Sequence, residues 1–365
     1  EVLTTLHLVY PSEDDSGPVV GAELGRHIGE GLWRICRNID GLCQLSTDGW
    51  DGLLGLAEWC ATIGGQVDLD QDGIPTGLAS DDPALLAYRS LHLMLHAPEL
   101  KDSIPLSATR SIRAVIIAGE RARFPKLSIA GLDLLLVLHS YFGDRTPAAD
   151  EIWLDCWIPV LDAIAEAGKL SMFTDVREHA ISMLTDAFID KSGLSIPPEH
   201  VCVALQNVCI PAAGTRLAEL LKDDRVIVEH MEEVRIEIEL FILLMYKPLL
   251  HHLKRILSTN ADLLGAWSTL LSVMEMLLGN EMIDESTEED GELVDSNGMT
   301  PDQLRRSTKE LASEHLRNAV MVLAASGVLQ ASPASDGDIS AITWDSIEKM
   351  EFCKGNLEEW KAATQ

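Results

Sequence analysis

Apolar residues recur along most of the chain at spacings of three and four, the period of one face of an α-helix. The clearest stripe is Met231, Val234, Ile238, Phe241, Met245, Leu249, Leu253 and Ile256. It predicts one long helix, or two meeting at a kink near Pro248, where the ring removes a backbone hydrogen bond. The same period predicts helices near 19–38, 49–64, 83–97, 106–123, 126–142, 150–168, 173–190, 198–222, 261–279, 301–325 and 343–362. Two starts are marked chemically. Asp82 stands before Pro83 as an N-cap, and Thr300, Pro301, Asp302 and Gln303 form a T-x-x-Q capping box with proline at the first helical position. No run of alternating β-branched residues predicts a strand. About a dozen helices with mostly short connections predict an all-α, armadillo- or HEAT-like solenoid whose repeats are degenerate, since no tight sequence repeat is visible.

The pattern also predicts the domain layout: residues 1–18 as a flexible acidic lead-in, then 19–365 as one continuous helical-repeat domain with a disordered insertion at 281–298. That insertion holds Glu281, Asp284, Glu285, Glu288, Glu289, Asp290, Glu292 and Asp295 without one Lys or Arg. Such a segment repels itself and reads as a solvated spacer, with docking of a basic partner as the alternative. The Ser12–Ser16 run reads the same way. The apolar stretches 127–138 and 236–250 are interrupted by Asp133, Glu237, Glu239 and Lys247, and neither reaches the roughly 18 clean residues of a membrane span. The chain opens on Glu1 with no initiator Met and no signal-peptide pattern, which predicts a piece of a longer protein.

With 47% hydrophobic and 24% charged residues, the composition is that of a folded chain rather than a disordered one. Its 28 basic and 58 acidic residues leave a net charge of −30, a field that repels phosphate backbones and excludes nucleic acid as a partner. Against that background Arg110, Arg113, Arg121, Arg123 and Lys126 are unusual, because Glu120 is the one acid among them. They are the candidate contact for an acidic partner or lipid headgroup, and a solvated helix face is the plainer reading.

Other features invite chemistry and fall short of it. Asp68, Asp70, Asp72 and Gly73 begin like a calcium loop, but Ala79 stands where the bidentate Glu belongs and Pro75 at the eighth position, so an acidic turn is expected. His92 and His96 share a helix face at i, i+4, yet Leu93 replaces the general base of the zinc motif and no third ligand is evident. His251 and His252 are adjacent, splayed about 100° apart, and are expected near a helix surface beside Lys254 and Arg255. Gly21, Gly25 and Gly29 allow either close helix packing or fraying. The seven cysteines contain no C-x-x-C pair and read as buried thiols of a reducing cytosol. Phosphate-loop, dinucleotide and nucleophile-elbow signatures are absent. No catalytic residue, cofactor or metal is therefore expected.

Several longer stretches carry a resemblance. DGWDGLLGLAEWCATIGG at 48–65, AYRSLHLML at 87–95 and, most specifically, ELKDSIPLSATRSIRAVIIAGERARFPKLSIAGLD at 99–133 are similar to the C-terminal region of the large Golgi Arf guanine nucleotide exchange factors, in the brefeldin-resistant class that includes plant GNOM. WLDCWIPVL at 153–161, the run from Met231 to Leu253, RNAVMVLAASGVL from Arg317 and ITWDSIE from Ile342 follow in the family's order. The resemblance spans about residues 20 to 350. It implies a regulatory, scaffolding and recruitment segment that lies downstream of a separate exchange domain, which has no counterpart in these residues. It also implies protein partners, among them small GTPases or the rest of the same chain, membrane surface contact, and a cytoplasmic protein peripheral to the Golgi. An unrelated α-solenoid adaptor is the alternative.

Overall fold

The computed structural model describes residues 18–65, 67–69, 75–144, 153–189, 196–259, 262–279, 299–329 and 339–364. The acidic stretches 12–16 and 281–298, and the tip residues Asp70, Asp72 and Gly73, lie outside the described residues. The chain divides into two compact units, 1–183 with 191–195, and 184–190 with 196–365.

The first unit contains α1 (Pro18–Cys36), α2 (Thr47–Ile63), α3 (Pro83–His96), α4 (Thr109–Arg121), α5 (Pro125–Asp144), α6 (Ile158–Leu170) and most of α7 (Thr174–Ile189). Successive helices pack as hairpins, and alternate helices pack side by side, so α1, α3 and α5 form one layer and α2, α4 and α6 a second. Leu53, Ala57, Leu91, Ile112, Val115, Leu135, Leu138 and Ile164 are buried in the core of this unit. Each fully buried Leu, Ile or Val side chain among them contributes about 1.5–3 kcal/mol of transfer free energy. Local signals set the ends. Ser46 Oγ accepts from Gly49 N at 3.2 Å and caps α2. The Asp82 carboxylate accepts from Ala84 N at 2.8 Å, capping α3, and from Gly65 N at 3.1 Å, tying that cap to the loop that leaves α2.

The glycine run resolves toward packing. A Cβ on Gly25 would lie 2.1 Å from Ile63 Cδ1, and one on Gly29 would lie 3.0 Å from Leu86 Cδ1. Helix α1 therefore approaches α2 and α3 more closely than any larger residue at these positions would permit.

One local feature departs from the predicted absence of strands. β1 (Val67–Leu69) and β2 (Pro75–Leu78) pair antiparallel between α2 and α3, with Val67 opposite Leu78 and an irregularity after Asp68. Strands of three and four residues are too short for alternation to register in the sequence. The start of the calcium-like run thus lies on a ribbon strand.

The second unit starts with the end of α7. Helix α8 (Pro198–Ala204) passes through a π turn, Leu205–Cys209, into α9 (Ile210–Leu220), followed by α10 (Met231–Thr259), α11 (Leu263–Leu278), α12 (Pro301–Ala325), α13 (Ile339–Lys349) and α14 (Leu357–Ala363). Helices α10 and α12 pack together on one side; α9, α11 and α13 pack in sequence on the other. The predicted stripe from Met231 to Ile256 is buried at every position, and α10 runs through Pro248 as one helix. The capping box at Thr300 forms in both directions, with Thr300 N donating to Gln303 Oε1 at 2.9 Å and Gln303 N to Thr300 Oγ1 at 3.2 Å.

Two expected helices differ in detail. The helix predicted from 150 begins as a π turn, Trp153–Trp157, whose wider winding buries both tryptophans with ring centroids 5.3 Å apart. The helix predicted over 343–362 is broken by a 3-10 turn, Glu351–Asn356. Met350 is fully buried there in a non-helical conformation, which redirects the chain. The continuous run Pro198–Leu220 has the length and composition of a membrane span. Its apolar face is buried against α10 and α11, and Arg216 on it holds a buried carboxylate, the arrangement of a core helix. Within each unit, stacked helical hairpins make the all-α, solenoid-like construction that the hydrophobic period predicts.

Candidate interaction surface

Helix α4 carries most of the basic candidates. At about 100° per residue, Arg110, Arg113, Ile117, Glu120 and Arg121 fall on one side of it, while Ile112, Val115, Ile116 and Ala118 are buried on the other. The exposed side is stitched to both neighbours in its layer. Arg110 Nε reaches Glu58 Oε1 of α2 at 2.7 Å with its side chain still 82% exposed. Arg121 donates to the carbonyls of Ala61, at 2.9 Å, and Thr62. Toward α6, Arg113 pairs with Glu166. Glu120 accepts from Ser171 Oγ at 2.6 Å and from Met172 N at 3.2 Å.

The remaining two candidates are differently placed. Arg123 follows α4 with φ at 51°, in the left-handed region, fixed by the bond from Phe124 N to Gly119 O at 2.8 Å. Lys126 lies in the first turn of α5. Both are exposed, and among the described residues neither reaches an acidic side chain. The structure thus brings all five cations to α4, the turn after it and the first turn of α5. Three are engaged by the chain's own carboxylates and carbonyls, and two point their charge to solvent.

The same region holds residues that the sequence did not single out. Ile117 is 51% exposed on α4, Leu170 is 61% exposed at the end of α6, and Met172 just after it is 60% exposed. The hydrophobic period counts such residues as core by default, so nothing in the sequence separates them from their buried neighbours.

The other candidates settle as structure. His92 and His96 stack with ring centroids 4.0 Å apart, and His96 Nδ1 lies 2.9 Å from His92 O. Partial burial and the neighbouring His96 hold His92 below the ordinary histidine value. Among the described residues no group of three His, Cys, Asp or Glu is placed to hold a metal. His251 is exposed, whereas His252, expected near the surface, is buried with Nε2 2.6 Å from Phe188 O. The 100° between adjacent helix positions turns one ring out and the other in. Burial pushes the Cys36, Cys60 and Cys202 thiols up to about 12 and that of Cys209 further still, so these sulfurs stay protonated and inert. Cys43, however, is exposed, which the expectation of buried thiols did not foresee.

The second unit hides a charge pair in its interior. Glu237 of α10 is 1% exposed and accepts from Arg216 Nε of α9 at 2.8 Å. Arg305 of α12 bonds Leu221 O at 3.1 Å and pairs with Asp224 and with Asp302, the latter at 3.0 Å. These are scaffolding interactions that fix how α9, α10 and α12 meet.

The described geometry is one of stacked helices with exposed faces. The family model described as the GBF1-like tetratrico peptide repeat region matches residues 157–351, more than half of the chain and running from the end of the tryptophan π turn through α13. No curated protein and no solved structure matches the chain. The matched region is a helical repeat segment rather than an exchange domain, in line with the resemblance to large Golgi Arf exchange factors, and the chain belongs to the GBF1-like tetratrico peptide repeat family.

Proposed function

We propose that this chain is the regulatory, scaffolding and recruitment segment of an Arf-activating guanine nucleotide exchange factor, with the exchange reaction carried by another part of the full-length protein. The observation that supports it most is the GBF1-like match over 157–351, lying on stacked helices whose buried polar contacts hold packing in place. Stacked helical pairs suit this work because each adds a ridge to an extended surface, so partners are bound by area and charge rather than by a deep cavity. In this reading the partners are proteins, small GTPases or the rest of the same chain among them. The face around Arg110, Arg113, Arg121, Arg123 and Lys126 is the contact for an acidic partner or a membrane headgroup at the Golgi.

The test is deletion of residues 19–365 from the full-length protein, followed by imaging of its Golgi association and measurement of nucleotide exchange on its Arf substrate. Loss of localisation, or a changed exchange rate with the exchange domain still folded, is the expected result. A deletion that alters neither quantity overturns the proposal.

A further inference from the structure

Resting on that interaction role, we propose that a shallow cavity between α12 and α14 is a docking site for a partner protein segment that inserts one long cationic side chain, Arg or Lys. Glu310, Ser313, Glu314 and Arg317 recur at i, i+3, i+4 and i+7 and so share one face of α12. Opposite them stand Phe352 and Asn356 of the 3-10 turn and Glu359 and Trp360 of α14. The break at Met350 turns the chain so that these four face α12, and Arg317 ties the two sides together by pairing with Glu359 at 3.0 Å. The cavity between them holds about 240 Å³. That is below the roughly 300–1,000 Å³ of small-molecule pockets, and it suits a single side chain carried in by a partner.

Charge fixes the sign of that side chain. Of the residues that line the cavity, Glu310, Glu314 and Glu359 are carboxylates and Arg317 is a cation. The surrounding cations are all engaged. Arg306 pairs with Glu310 at 3.3 Å, and Lys354 and Lys361 pair with Glu351 and Glu348. The other Lys and Arg residues of 299–329 and 339–364 are held too, Arg305 by Asp302 and Asp224, Lys309 by Gly279 O and Lys349 by Asp345. Glu314, by contrast, is exposed and meets no cation among the described residues. It is the lining charge left to a ligand. An anion would have to take Arg317 from Glu359 and then sit against Glu314. Trp360, 2% exposed, and Phe352, 38% exposed, give the cavity an aromatic surface. Such rings attract positive charge and accept the apolar stem of Arg or Lys, whose head then reaches Glu314. The stretches 281–298 and 330–338 of this unit contain no Lys or Arg, so neither supplies the cation.

The probe is a short acetylated and amidated peptide of Gly and Ser with one central Arg, titrated against the complete chain and read by saturation-transfer NMR. Matched peptides carry Glu, or citrulline, which has the shape of Arg without its charge; spermidine is tested alongside them. The Arg peptide binds, saturation reaches its side-chain methylenes, and the citrulline and Glu peptides do not bind. Glu314→Gln weakens binding about tenfold, the size of one charge-assisted hydrogen bond, and Phe352→Ser weakens it as well. Glu358→Gln, at an exposed carboxylate of α14 outside the lining, leaves it unchanged. All three positions lie at the surface, so each variant keeps the wild-type circular dichroism and melting temperature.

Equal binding of the Arg and citrulline peptides, preference for the Glu peptide, or no binding overturns the proposal. A loss in Glu358→Gln as large as that in Glu314→Gln means bulk attraction to an acidic surface, and overturns it too. Spermidine binding that Glu314→Gln abolishes, without peptide binding, assigns the cavity to a free polyamine, with the same result. Should any of these hold while deletion of 19–365 still impairs localisation or exchange, the cavity proposal falls and the regulatory reading stands.

Discussion

The two units close their helix seams by different means. In the first, small residues bring helices together: Gly25 and Gly29 against Ile63 and Leu86, Gly119 against Ser128, Gly131 against Ile116. On its α4 face Arg110 and Arg113 pair with Glu58 and Glu166 near the surface, while Arg177 is buried and donates to Ser171 O at 3.0 Å. In the second unit Gly214 comes close to Val273 and Gly265 to Gln206, but much of the specificity lies in buried polar groups. Arg216 meets Glu237, His252 meets Phe188 O, and Trp267 Nε1 donates to Thr343 Oγ1 at 2.8 Å. A seam made by missing atoms tolerates no added volume, whereas a seam made by buried polar groups tolerates no lost partner. The Arg110–Glu58 and Arg216–Glu237 pairs join the same two residue types, one within reach of water and one away from it.

The comparison is tested hardest at Glu237. Replacing it with Ala leaves Arg216 with only the half-exposed Glu219, 3.5 Å away, as counter-charge, so the loss should approach from below the cost of a broken buried pair, about 3–5 kcal/mol. Chemical denaturation of Glu237→Ala should show this loss. The double replacement Arg216→Met, Glu237→Leu should recover most of it, since apolar groups of similar size leave no buried charge without its partner. A double variant no more stable than the single one would mean that the pair is needed for more than neutralisation.

Gly119→Ala probes the opposite kind of seam. Its Cβ would lie 2.3 Å from Ser128 Oγ and 2.6 Å from Ser128 N. Backbone cannot rotate away, so α4 and α5 must separate and lose the bond from Ser128 Oγ to Ile116 O at 2.9 Å. Overpacking of this kind costs about 1–3 kcal/mol, read as a lower melting temperature.

How much of this was legible in the sequence divides along the same line. The Met231–Ile256 stripe, the Asp82 cap and the Thr300 capping box were readable because each is a local relation among residues a few positions apart, and local geometry decides them. The glycine run could be seen but not interpreted, since whether Gly25 packs or frays depends on Ile63, 38 positions away. Glu237 read as an interruption in an apolar run, with no sign that Arg216 would meet it. The five cations were visible as a cluster, but which of them remain free depends on Glu58 and Glu166, and the apolar residues between them look like core. Tertiary partners, rather than periodicity, made those distinctions.

His252 sharpens the comparison through pH. Burial pushes its imidazole below the ordinary value; the bond to Phe188 O opposes that shift, and His251 and Arg255 add to it. The folded state thus binds fewer protons than the unfolded state in the window below the ordinary histidine value of about 6.5. Stability contributed by the neutral ring is full above that value and is lost as pH falls through it toward the depressed folded one. Urea midpoints measured from pH 7.5 to pH 5.5 should fall less steeply for His252→Gln than for the wild-type chain.

The smallest effect is expected at Arg110, and it matters because the geometry there looks as good as at Arg216. Arg110 Nε lies 2.7 Å from Glu58, against 2.8 Å for the buried pair. Distance alone would rank the two interactions together. Arg110, however, is 82% exposed, so water competes for both charges and dissolved salt screens them. Holding a long side chain in one pose also costs rotamer entropy. An exposed pair of this kind contributes about 0–1 kcal/mol. Arg110→Ala should therefore lower the unfolding free energy by less than about 0.5 kcal/mol, and moderate salt should erase even that. A loss comparable to that of Glu237→Ala would show that α2 and α4 depend on this contact, and that the first unit too is held by its charges.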